Sequence, residues 1–147
     1  RIDQQDTILA EMEVRIKRIL SLEPSKRIDT PLAVIIGKCD IWRDLLPEPL
    51  ENPVRGGILD LSVVDSNSEK LRRFMLSVEP SIPSEALSIS SNVRFFALSA
   101  LGHSPEMITE GECAGKIAPI PEKLDPIDVE IPTLWALSQT TTLIPTR

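Results

Sequence analysis

Apolar residues recur at spacings of three and four over residues 6–20, with Ile8, Leu9, Met12, Ile16, Ile19 and Leu20 in one stripe. That period predicts an amphipathic helix laid on the surface. Pro24 breaks it, since proline cannot continue the hydrogen-bond ladder and disfavours helix at the residue before it. The unbroken run Leu32-Ala33-Val34-Ile35-Ile36 then predicts a strand buried on both faces, as in a parallel sheet covered by helices. A short helix is expected over residues 41–46, stopped by Pro47 and Pro49, with an irregular loop through Pro53 and Gly56-Gly57. Ser66 and Glu69 have the spacing of a capping box ahead of Leu71, Phe74, Met75 and Val78, which predicts a helix over residues 67–78. Pro80 and Pro83 end it, residues 85–89 add a helical turn, and residues 93–98 form a second strand. Five of the 13 prolines fall within residues 103–132, an extended loop with little regular structure, and Pro132 opens a last helix. Strands separated by helices point to an α/β fold with helices layered on the sheet, and exclude an all-β sandwich.

With 147 residues, 41% of them hydrophobic and 26% charged, the chain has the composition of one globular domain. It opens at Arg1 directly before a helical pattern, so we read it as a fragment. Sixteen basic against 22 acidic residues give a formal charge of −6, which repels nucleic acid and anionic membrane. Arg15, Lys17 and Arg18, and again Lys70, Arg72 and Arg73, are interleaved with apolar helix positions and read as solvated faces. Cys39 and Cys113 stand far apart with a single histidine in the chain, a pattern that suggests neither a disulfide framework nor a zinc site. A reducing cytoplasm is the expected location, and no apolar run reaches the roughly 18 to 20 residues of a membrane span.

Both strands end in residues suited to gripping a purine. After Ile36 come Gly37-Lys38-Cys39-Asp40, and after Leu98 come Ser99-Ala100-Leu101-Gly102. Guanine presents its N1–H and its exocyclic amino group side by side, and the Asp40 carboxylate offers two acceptors at matching separation. Adenine has an acceptor at the first of those positions and no amino group at the second. Lys38 has an aliphatic stem to lay on the ring face while its charge stays in water. The Ala100 backbone N–H is suited to the guanine oxygen, with Ser99 shaping the turn and small side chains letting the backbone approach. The rest of the chain offers blander readings: Cys39 as packing, Trp42 and Trp135 as core area, His103 as a solvated loop residue, and Glu110 and Glu112 as solvated carboxylates.

These residues resemble the fourth and fifth motifs of the P-loop GTPases, Asn/Thr-Lys-x-Asp and Ser-Ala-Leu/Lys, in the family's chain order. Ser68 and Arg72, Phe95 to Gly102, and Val129-Glu130-x-Pro132-x-Leu134-Trp135-x-Leu137 extend the likeness to the C-terminal half of the bacterial double-GTPase group of the TRAFAC class, over about residues 8–140. The resemblance implies a three-layer sheet with helices on both faces, GTP or GDP as ligand, and Lys38, Asp40, Ser99, Ala100 and Leu101 as the base site. It also implies a missing N-terminal half that carries the phosphate loop and the Mg²⁺ ligands, and a protein effector or second GTPase domain as partner. Gly37 departs from the pattern, for it stands where the family has Asn or Thr. No Gly-x-x-x-x-Gly-Lys-Ser/Thr occurs, because Cys39 follows Lys38 and Ile117 follows Lys116. No catalytic residue is expected, and hydrolysis by these residues alone is not. The rival reading is a degenerate G domain kept as an interaction scaffold.

Overall fold

Two parallel strands hold the centre of the fold. The computed structural model describes residues 3–111 and 114–147. Helix α1 (Asp3–Ile19) leads to strand β1 (Leu32–Ile36), the one-turn helix α2 (Cys39–Trp42) and a 3₁₀ turn at Arg43–Leu45. A small hairpin, β2 (Val54–Arg55) and β3 (Ile58–Leu59), precedes helices α3 (Leu61–Val78) and α4 (Ser81–Ile89) and strand β4 (Val93–Ala97). A second small hairpin, β5 (Glu106–Met107) and β6 (Ile117–Ala118), a 3₁₀ turn at Pro121–Lys123 and helix α5 (Ile131–Thr140) complete the order. Strand β1 pairs with β4 in parallel, Leu32 opposite Val93 through Ile36 opposite Ala97. A parallel pair requires a long crossover, here the segment carrying α3 and α4.

Alternation along the two strands builds a core on each face of the sheet. Leu32, Val34 and Ile36 join Val93, Phe95 and Ala97 against Leu71 of α3, Ala86 of α4 and Cys39. On the opposite face Ala33 and Phe96 meet Ile131 and Trp135 of α5, with Leu59 and Val64. Trp135 is 1% exposed and tilts against Phe96 at 5.4 Å between ring centroids. The chain is thus a mixed α/β fold whose sheets are two-stranded pairs.

The two edges of the central pair are treated differently. The Phe95 N–H, which faces away from β1, donates to the buried hydroxyl of Ser68 on α3 at 2.9 Å, so that helix closes the β4 edge. On β1, Leu32 N–H donates to Asn92 O, and Ile36 O accepts from Leu98 N–H. Alternation then turns the backbone groups of Ala33 and Ile35 to the other edge, where Ile35 is 54% exposed above an apolar groove shared with Ile8, Leu9 and Met12 of α1.

Several expectations are corrected. Helix α3 starts six residues before the expected residue 67, because Asp60 is its N-cap: the carboxylate accepts from the Ser62 and Val63 N–H groups at 3.2 and 3.4 Å. Its tail is fixed by Arg147, whose Nε donates to Asp60 at 2.9 Å. Ser66 lies inside the helix, and Glu69 binds Arg72 and Arg73 instead, at 2.8 and 2.9 Å. Helix α3 does end at Val78, just ahead of Pro80, but the next helix starts earlier than residue 85: Pro80 caps α4 and Pro83 sits in its first turn, where a missing N–H costs nothing. Residues 52–59, read as irregular, make the β2–β3 hairpin around Gly56 and Gly57, both at positive φ as a two-residue turn demands. Lys17 is buried, not solvated, and its ammonium binds Glu13 and the Pro24 carbonyl across the helix end. The expectations for Cys113 and Glu112 lie outside the described residues. Among the described residues no helix is long and apolar enough to cross a membrane.

Candidate functional site

Both strand ends open on the same side of the molecule, as parallel strands must. After β1 the chain turns through Lys38, which adopts a left-handed backbone at φ 56° and then enters α2. That conformation is uncommon for a residue with a side chain and persists where neighbours hold it. Here Cys39 N–H donates to Leu98 O at 3.1 Å, which ties the turn to the end of β4, and Ile41 N–H donates back to Lys38 O. Trp42 adds a third tie, for its Nε1 donates to Gly37 O at 2.9 Å while its ring stacks on Phe74 of α3 at 5.4 Å. Trp42 is half-buried, packed against the core that holds Cys39 and Leu71 while bracing α3 against the turn. Cys39 itself is 2% exposed, as packing requires, and burial pushes its thiol pKa up.

The second turn is pinned to the segment before α5. Ser99 and Ile127 exchange both backbone hydrogen bonds, at 3.1 and 2.8 Å, and Asp125 N–H donates to Leu101 O. The buried Ser99 hydroxyl accepts from Gly102 N–H at 3.0 Å, closing the turn on itself. Gly102 has φ 72°, and a Cβ there would lie 1.8 Å from Asp125 O, so only glycine allows this approach.

Between the turns lies a cavity of about 350 Å³. All five residues singled out in the sequence line it: Lys38, Asp40, Ser99, Ala100 and Leu101. Asp40 is half-buried in the first turn of α2, and Lys38 and Ala100 are exposed. Among the described residues neither Lys38 nor Asp40 enters an ion pair, so the two are not the surface salt bridge that a bland reading would make of them. The Asp40 carboxylate and the Ala100 N–H are likewise outside the hydrogen bonds among the described residues. Acceptors and a donor thus face the same space uncommitted. At Gly37 a Cβ would meet nothing within 4 Å, so the missing side chain leaves open room beside the cavity.

His103 was expected in solvent, and the structure corrects this. It is half-buried and lines the same cavity. Its Nδ1 lies 2.8 Å from the Ser104 carbonyl, and its Nε2 is buried without a hydrogen-bond partner. Sequence gave one usable sign of it, a histidine directly after the glycine that ends the Ser99 turn.

Two other depressions are larger but gather less chemistry. One of about 390 Å³ lies between Leu45, Pro47 and Phe74, and its cations are already engaged, Lys70 with the Pro49 carbonyl and Arg73 with Glu69. The groove of about 590 Å³ along β1 is lined by apolar residues. Among the described residues no three His, Cys, Asp or Glu side chains come together in a way that could hold a metal ion. Comparison with protein-family models, curated proteins and solved structures gave no match.

Proposed function

We propose that the chain is the base-recognition half of a guanine-nucleotide-binding domain, a reading that rests on the single cavity at the carboxyl ends of β1 and β4 lined by both motifs. In it Asp40 accepts from guanine N1–H and the 2-amino group, the Lys38 stem lies on the ring face, and the free Ala100 N–H donates to the guanine oxygen. Hydrogen bonds to a charged group contribute about 1.5–3 kcal/mol each, which suffices to set guanine apart from adenine. The phosphate loop, the switches and the Mg²⁺ ligands would come from a phosphate-binding half outside these residues, and hydrolysis with them. Among the described residues the second edge of β1 has no strand partner, which supports that division, since a strand of this apolar sequence is at home between two neighbours. The intact protein would be a nucleotide-controlled switch acting on a protein effector or second GTPase domain, and a cytoplasmic setting fits the reading.

Asp40→Asn tests this. An amide accepts from N1–H and donates to the 2-oxo group of xanthine, so the variant should prefer xanthosine over guanosine diphosphate by about tenfold or more while the parent shows the reverse. Unchanged guanine preference in the variant removes Asp40 from the site. The rival, a scaffold that keeps the fold without the ligand, is favoured by one observation: Gly37 brings no side chain to a place with room for one. Absence of guanosine diphosphate binding even when Asn is placed at residue 37 would decide for it.

A further inference from the structure

A separate cavity of about 220 Å³ shares no lining residue with the base site. Cys39, Leu50 and Ala97 give it an apolar wall, and three polar side chains reach it from distant parts of the chain: Arg43 after α2, Asn52 before β2 and Asp128 before α5. The backbone around these side chains is fixed by contacts of its own. Asn67 of α3 donates to the Glu51 carbonyl at 2.7 Å and accepts from the Glu51 N–H at 3.1 Å, and Ile127 is paired with Ser99. Asp128 is held at φ 51°, a left-handed backbone that persists in a residue with a side chain only where its surroundings impose it.

The charges on this cavity are uncommitted. Among the described residues neither Arg43 nor Asp128 enters an ion pair, and the side chain of neither takes part in a hydrogen bond. Arg43 is exposed, and the Asp128 oxygens, unlike His103 Nε2, are open to solvent. Glu51, the other carboxylate on the wall, pairs with Arg55 at 3.5 Å. Asn52 Oδ1 accepts from the Val54 N–H at 2.8 Å, which leaves its amide N–H groups as donors. Burial pushes the Asp128 pKa up and Glu130 adds to this, with Arg43 opposing both, so the carboxylate gains from a further cationic partner.

We infer that this cavity binds a free α-amino acid with an aliphatic side chain, its carboxylate on Arg43 and Asn52, its ammonium on Asp128 and its side chain against Cys39, Leu50 and Ala97. A ligand with one charge would leave Arg43 or Asp128 unmatched, and the volume falls below the roughly 300–1,000 Å³ of sites for drug-sized molecules. The site stands apart from the guanine reading and does not depend on it.

The test titrates L-leucine into the full chain and follows backbone amide and arginine side-chain resonances, with N-acetyl-L-leucine and L-leucinamide as probes that lack one charge each. Leucine should shift residues 39, 43, 52, 97 and 128, and each derivative should bind at least about tenfold more weakly, the worth of one hydrogen bond between charged groups. Asp128→Gly, which a left-handed backbone accepts without strain, should bind leucine and its N-acetyl derivative alike while still disfavouring the amide. Arg43→Gln should show the reverse pattern. Equal binding of leucine and either derivative by the parent, shifts centred elsewhere, or no shift at millimolar leucine overturns the inference, and this comparison needs no variant to fold. Parental discrimination retained in both variants overturns it as well.

Discussion

Gly102 and Gly37 sit at the same cavity under opposite constraints. At Gly102 a methyl group would collide with the Asp125 carbonyl in a backbone that already favours glycine. Gly102→Ala should therefore cost at least about 2 kcal/mol in urea unfolding, through strain and through loss of the tie between the two segments. Gly37→Asn meets open space and should change stability by less than about 0.5 kcal/mol. On the proposed function it should also tighten guanosine diphosphate binding, because Asn is the residue that the resembling family carries there. A large destabilisation by Gly37→Asn would show that the space is not open. The Ser68 hydroxyl, which takes the Phe95 N–H from the sheet edge, makes a third residue-level case. Ser68→Ala strands that buried donor and should cost about 1–3 kcal/mol.

Helix α3 is the element that joins most of these contacts. It closes the β4 edge, stacks Phe74 on Trp42, and carries an ion-pair cluster on its outer side. The Arg72 hydrogen bond first, and Arg73 after it, hold the Glu69 pKa at about 2 against an ordinary 4.5. A carboxyl depressed in the folded state contributes stability in full above its unfolded pKa and loses it as pH falls toward the folded one, here from about 4.5 to about 2. Because the pair is well exposed to water, the contribution should stay below about 1 kcal/mol. Glu69→Gln should thus be slightly less stable than the parent at pH 7, with the gap narrowing as pH falls from about 4.5 toward about 2; a gap that stays constant over that range would assign it to packing. The apolar face of α3 was legible from Leu71 and Met75, yet its start was not, since Ser66 and Glu69 copy a cap inside the helix while Asp60 provides the real one. Strands β1 and β4 were legible because their apolar runs are unbroken. The end of α3 ahead of Pro80 was legible, but the immediate start of α4 at Pro80 and Pro83 and the Gly56-Gly57 hairpin were not, because proline and glycine mark an element's start as readily as its end.

Across the whole molecule, β4 couples the two cores, with Phe95 on one face and Phe96 on the other. Unfolding should therefore be one cooperative event, with Trp135 fluorescence and far-ultraviolet dichroism giving the same urea midpoint. Trp135→Ala should lower stability by about 3–5 kcal/mol, enough to lose much of a domain's total. Two separate midpoints would show that the faces fold apart. At this scale the meeting of Lys38, Asp40, Ser99, Ala100 and Leu101 was legible from the sequence, because two strand ends of a parallel pair must face the same way, and the cavity does gather them. The half-burial of His103 was not, since a single histidine after a turn glycine carries no periodic pattern that marks it. The central claim is that this cavity reads guanine, and the most direct test follows backbone amide resonances while guanosine diphosphate or adenosine diphosphate is titrated into the chain. The account predicts shifts for the guanine nucleotide concentrated at residues 37–41 and 98–103, much weaker for adenine. Equal shifts with both nucleotides, or shifts centred elsewhere on the molecule, would contradict it.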